Sequence, residues 1–165
     1  MALFHAGRLD DAKTWLESAI ELCELERWTA FKPWPIAWMG KWRLAAGAPC
    51  TEIRAEMEAN LALSTQMGDP CWEGVSAEAI GATYRAAGEY DAAIGWMEQG
   101  RALCGRVSDS YAWFEGYILR TAAQTALEAG HGEKADALAR ELVIHAARGQ
   151  MDGLMLDATE IIAAV

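Results

Sequence analysis

The residue types that carry reactions are present in this sequence, but not at the spacings that reactions need. Its three histidines, His5, His131 and His145, sit in different segments of the chain. They read as solvated or helix-terminal groups, His131 in a turn and His145 near a helix end, rather than as metal ligands or acid–base groups. The four cysteines, Cys23, Cys50, Cys71 and Cys104, are 27, 21 and 33 residues apart, with no C-x-x-C and no histidine at metal-ligand spacing. They read as buried or half-buried free thiols. The acidic runs Glu21, Glu24, Glu26 and Glu52, Glu56, Glu58 fall on helical segments with arginines nearby, which makes them solvated faces rather than catalytic carboxylate pairs. The sequence contains no phosphate-cradling GxxxxGK[ST], no HExxH, no GxSxG and no GxGxxG. The expectation is therefore a non-enzyme with no cofactor and no metal.

Tryptophan is the unusual component. There are eight, and four of them lie in the run RWTAFKPWPIAWMGKW from Arg27 to Trp42. Trp38 and Trp42 are four apart and share a helical stripe, so packing into a core is the first expectation. An aromatic wall in a binding groove is the alternative, because Trp34 stands at a helix start where a concave surface would be reached.

Lys and Arg number 14 against 24 Asp and Glu, a formal net charge of -10. The cationic field that dominates nucleic-acid affinity is missing, so no direct DNA or RNA binding by this segment is expected. No polybasic cluster and no apolar run of about 18 residues points to a membrane. The first residues, MALFHAGRLDDAK, lack a basic leader followed by a long apolar core, and a cytoplasmic location is expected.

The elements that would position any site are marked by a repeat. AGRLDDAKTWLESA begins at Ala6, AGAPCTEIRAEMEA at Ala46, AGEYDAAIGWMEQG at Ala87 and AGHGEKADALAREL at Ala129. The glycines, Gly7, Gly47, Gly88 and Gly130, are 40, 41 and 42 residues apart, which is the signature of an internal repeat. Apolar residues recur with helical period after each glycine, as in Leu9, Ala12, Leu16, Ala19, Ile20 and Cys23. Ile53, Met57 and Leu61 form a weaker set in the second unit, and Tyr90, Ala93, Ile94, Met97 and Cys104 a stronger one in the third. The stretches before the glycines are also apolar and helical, so each unit is a helix, a tight turn and a second helix. Each glycine is the left-handed residue that ends the first helix. Helices are expected near 9–27, 35–46, 50–66, 71–87, 90–104, 110–129, 132–147 and 152–164. Pro35 and Pro70 fit helix starts, where a missing N–H costs nothing.

The run IGATYRAAGEYDAAIGWM from Ile80 resembles the tetratricopeptide pattern, with Gly81, Tyr84, Gly88, Tyr90 and Ala93 at its small and aromatic positions. Other units match in part: Trp42 sits one place early, Ala123 replaces a glycine and Gly132 an aromatic. The period of 40–42 exceeds the 34 of the standard repeat. In this it is similar to the long repeats of large LuxR-type ATP-binding transcriptional regulators, where they form a sensor arm. The resemblance implies an all-α right-handed superhelical solenoid of antiparallel helix pairs. Its units would fall at about 1–27, 28–67, 68–107 and 108–148, with a partial unit at 149–165. It also implies that the first helix of each pair lines a concave face. Counting from the small-residue positions places Trp34, Ala37, Lys41 and Leu44, then Glu78, Ala82 and Arg85, then Arg120, Gln124 and Leu127 on that face.

Trp34, Lys41, Glu78, Arg85, Arg120 and Gln124 are the resulting candidates for holding a partner. They mix cations with apolar surface and suit an acidic or aromatic-bearing peptide. Both ends of the sequence fall inside a repeat, and the last residues, EIIAAV, are apolar. A segment of a longer regulator is expected, with self-association of the open repeat ends as a further possibility. A free-standing adaptor for a partner peptide and a pocket for a small-molecule effector are the alternatives.

Overall fold

The Ala-Gly signals mark where helices stop. In the computed structural model, which describes residues 7–106 and 111–165, Gly88 adopts φ +78°. There its N–H donates to the Arg85 carbonyl at 3.0 Å, and the Glu89 N–H donates to the Tyr84 carbonyl at 2.9 Å. Those two bonds satisfy carbonyls that the helix itself leaves unpaired, and a side chain at this φ would press on its own backbone. The same pair of bonds recurs at Gly47 and Gly130.

Eight α-helices follow among the described residues: α1 (Leu9–Leu25), α2 (Pro33–Ala45), α3 (Cys50–Met67), α4 (Pro70–Ala86), α5 (Tyr90–Cys104), α6 (Ala112–Glu128), α7 (Gly132–Gly149) and α8 (Asp152–Ala164). A 3-10 turn, Thr29–Phe31, precedes α2. Two starts differ from the sequence expectation. α2 begins at Pro33 rather than Pro35, because Pro33 occupies the first position and Pro35 is still within the turn whose N–H groups need no helical partner. Residue 110, the expected start of α6, lies outside the described residues. At α4 the expectation is met with a cap added: the Asp69 carboxylate accepts from the Cys71 N–H at 2.9 Å and the Trp72 N–H at 3.3 Å, just ahead of Pro70.

Consecutive helices pack against one another from α1 to α8, and the even-numbered helices also touch along a row, α2 on α4, α4 on α6 and α6 on α8. This is an all-α array of helix pairs with an inner row built from the first helix of each pair. The apolar residues of each second helix turn inward: Ile53 and Met57 of α3, Met97 of α5 and Leu142 of α7 are all essentially inaccessible. One continuous apolar core runs from Ala37 to Ile161, whereas the buried residues of α1, Ala12, Leu16 and Cys23, stand outside it.

Two features lock the row in register. α4 and α5 approach so closely that a Cβ on Gly100 would stand 2.6 Å from the Gly74 carbonyl oxygen, and one on Gly74 equally close to that of Gly100. Near the start of α2, the buried Asn60 amide donates to the Pro33 carbonyl and to Ser76 Oγ, both at 2.9 Å. This ties α3 to both neighbouring inner helices and satisfies groups that burial would otherwise penalise.

Candidate functional site

Side chains spaced three and four apart on the inner-row helices project to one side. Lys41 and Leu44 from α2, Glu78, Ala82 and Arg85 from α4, and Arg120 and Gln124 from α6 converge on a cavity of about 320 Å³. Trp38, Ala45, Ala86 and Thr121 complete its walls. A second cavity of about 690 Å³ shares Arg120 and Gln124 with the first and continues between α6 and α8, past Trp113, Tyr117 and Asp157. Together they make one groove along the row.

The floor of the first cavity is charged. Lys41 Nζ donates to Glu78 Oε2 at 2.8 Å and lies 3.5 Å from the centroid of the Trp38 ring. The two side chains are 12% and 4% exposed, so this is a buried ion pair. Burial pulls the Lys41 ammonium below its usual value of 10.5, the Glu78 carboxylate opposes that shift, and the charge of Arg120 adds to it. Buried pairs of this kind add little net stability compared with an apolar filling. A charged pair retained at the bottom of an apolar-walled cavity is the arrangement seen where polar groups orient a ligand.

The remaining cations are held in advance. Arg85 binds Glu128 of α6 through two nitrogens, one at 2.8 Å. Arg120 donates to Asp157 of α8 at 3.1 Å, and its guanidinium lies 5.4 Å from the Tyr117 ring centroid. Five of the six expected residues, Lys41, Glu78, Arg85, Arg120 and Gln124, therefore lie on this cavity, with their charges already balanced by carboxylates. Trp34 does not. It packs against the core with its ring centroid 6.5 Å from that of Trp72, one helical turn from the cavity, and Trp38 takes the lining position. Trp34 and Trp38 are four apart on one stripe of α2, and the cavity begins at Trp38, while Trp34 stands one turn earlier beside Trp72 of α4. Ala37 is fully buried and Leu127 packs against the core. Trp38 carried a signal that pointed here, standing three residues before Lys41. Asp157 and Glu128 carried none, being 37 and 43 residues from their arginines.

Elsewhere the chemistry is structural. Glu52 and Glu56 lie on an exposed face, as expected, with Arg43 of the preceding helix forked between them. His145, near the end of α7, is half-buried: its Nε2 lies 2.6 Å from the Ala112 carbonyl oxygen and its Nδ1 faces Glu115 at 3.9 Å, which joins α7 to the first turn of α6. His131, exposed, stands at the start of α7 with its ring 3.7 Å from Asp91. His5 lies outside the described residues. Cys23, Cys71 and Cys104 are buried and Cys50 half-buried, all as free thiols. Burial raises the Cys71 and Cys104 thiols above their usual value, which disfavours the reactive thiolate in both. Among the described residues, no three His, Cys, Asp or Glu side chains gather as a metal site, and no helix is long and apolar enough to cross a membrane.

Residues 75–109, which include all of α5 and all but the first five residues of α4, match the family model of the tetratricopeptide repeat. No curated protein matches the chain significantly. Together with the all-helical paired architecture, the match supports a tetratricopeptide-like repeat array; such repeats generally mediate protein–protein interaction.

Proposed function

We propose that the chain is a non-catalytic interaction module that receives an extended segment of a partner protein along its inner groove. An apolar or aromatic side chain of the partner would seat between Trp38, Leu44 and Ala82. The observation that carries this is the groove itself: two adjoining cavities on the inner row, floored by the Lys41–Glu78 pair and divided by Arg120. Gln124 and Thr121 offer amide and hydroxyl groups for a partner's backbone. An acidic group on the partner would have to exchange with Glu128 or Asp157 for Arg85 or Arg120. Specificity for such a group then comes from a swap of partners rather than from vacant cations.

Selection of a displayed random peptide library on the chain tests this. Enriched peptides are expected to quench Trp38 fluorescence. They should lose binding both to Ala82→Phe, which fills the cavity, and to the Arg85→Glu, Arg120→Glu double variant. Peptides that bind both variants as tightly as the unaltered chain would place the interaction elsewhere. A small apolar effector in the same cavity is the second reading, favoured by the tryptophan in its wall. It predicts a compound that raises the melting temperature of the unaltered chain and not of Ala82→Phe.

The finer setting, the sensor arm of a large cytoplasmic LuxR-type regulator, rests on the sequence resemblance and the 40–42-residue period. An immunoblot of source cells is expected to show a band several times larger than 18.0 kDa; a band at that mass would favour a free-standing adaptor.

A further inference from the structure

The ion pair on the floor of the first cavity leaves part of its bonding capacity unused. Lys41 and Glu78 share one hydrogen bond, from Nζ to Oε2 at 2.8 Å. An ammonium has three donors and a carboxylate has a second oxygen to offer. Among the described residues, no other donor reaches the Glu78 carboxylate and no other acceptor takes an N–H of Lys41. Glu78 Oε1 is nevertheless not one of the side-chain atoms sealed from solvent without a partner. It opens on the cavity that Glu78 helps to line.

The rest of the lining narrows what can enter. Trp38, Leu44 and Ala82 present apolar surface, which asks for an apolar body. Three of the four charged side chains on the cavity are cations, Lys41, Arg85 and Arg120, and they repel a lysine or arginine. A carboxylate on the floor would stand against Glu78. A leucine or phenylalanine would cover Oε1 and strip solvent from a charged oxygen with nothing in exchange. What remains is a ring that carries a neutral polar group at its tip.

We propose that this cavity is a tyrosine pocket. The partner's phenol donates its O–H to Glu78 Oε1 and accepts from Lys41 Nζ, while its ring rests on Trp38, Leu44 and Ala82. The proposal rests on the groove reading above and names its central contact. A phenol is donor and acceptor at one atom and so answers both halves of the ion pair, whereas an indole N–H only donates and answers one. Bonds to charged groups are the stronger class. A site that hydrogen-bonds a hydroxyl also rejects an analogue without one more sharply than an apolar pocket rejects a missing methylene. The buried pair thus supplies specificity at a place where an apolar filling would serve stability as well.

Displayed libraries of random short peptides, identical except that the central residue is fixed as Tyr, Trp, Phe or Leu, are selected on the full chain. The tyrosine library is expected to supply the tightest binders. In the best of these, phenylalanine in place of the tyrosine is expected to weaken binding at least about tenfold. O-methyltyrosine, which keeps the acceptor and loses the donor, should weaken it as much. On the Lys41→Met, Glu78→Leu double variant the phenylalanine peptide is expected to bind at least as tightly as the tyrosine peptide. If that variant loses the helical circular dichroism spectrum, the two substituted peptides on the unaltered chain decide the matter alone. Peptides that Ala82→Phe abolishes, but that bind equally well with either substitute or come tightest from another library, would overturn the tyrosine pocket and leave the groove standing. Peptides indifferent to Ala82→Phe, or no enrichment from any library, would overturn both.

Discussion

α4 and α5 at the centre of the array and α1 at its flank are built from similar amounts of apolar sequence, yet they are held very differently. In α4 most positions from Cys71 to Thr83 are buried, and its backbone meets that of α5 at Gly74 and Gly100. α1 buries Ala12, Leu16 and Cys23 outside the continuous core and leaves Trp15 and Leu25 largely in solvent. It is fastened by single bonds, Trp42 Nε1 to the Leu9 carbonyl at 2.9 Å and Lys32 to Glu24 at 2.8 Å. The difference teaches that in a stacked array stability follows the number of neighbouring helices, not the hydrophobicity of a segment. Among the described helices, α1 is the one expected to open first.

The largest test of that contrast is at the centre. Glu78→Ala leaves Lys41 as an uncompensated buried charge and is expected to cost about 3–5 kcal/mol in denaturant unfolding. Replacing the pair together, Lys41→Met with Glu78→Leu, should recover most of that loss. A double variant as unstable as Glu78→Ala alone would show that the pair holds the row together rather than serving the groove.

Next in size is the α4–α5 contact. Gly100→Ala brings a Cβ to 2.6 Å from a backbone oxygen that no rotamer change can move away, and a loss of about 1–3 kcal/mol is expected in the same measurement. Gly95 lies on the same helix with nothing within 4 Å of an added Cβ. Gly95→Ala should instead gain up to about 1 kcal/mol through helix propensity. Equal effects at the two positions would mean that the close approach of α4 and α5 is not what distinguishes the centre.

The smallest effect belongs to the flank. Arg27 ends α1 in the left-handed region at φ +55°, with the Trp28 N–H closing on the Cys23 carbonyl at 2.8 Å. Arg27→Gly relieves a conformation that costs a side chain roughly 1 kcal/mol, less the added chain entropy of glycine. A gain of a few tenths of a kcal/mol is expected in thermal unfolding, together with slower amide exchange in α1. A loss would mean that the arginine side chain itself holds the joint.

Much of this was legible in the linear chain because it rests on local chemistry. A glycine is needed wherever a helix must end in the left-handed region and turn tightly, so the spacing of four Ala-Gly pairs located the paired helices, and the apolar period located the buried faces. The same left-handed geometry at the exposed Arg27 and Gln150 was not legible, since neither position holds the glycine that marks it elsewhere. Lys41, Glu78, Arg85, Arg120 and Gln124 were placed together by counting along the first helices, because a helix repeats its facing every three to four residues. Trp34 shares that stripe but stands one turn before the cavity, beside Trp72. Only the tertiary structure decided that Arg85 and Arg120 face Glu128 and Asp157, and that Lys41 and Glu78 meet on a tryptophan ring. A linear sequence records which charges a protein carries; which of them lie within hydrogen-bond reach depends on how separate helices stack.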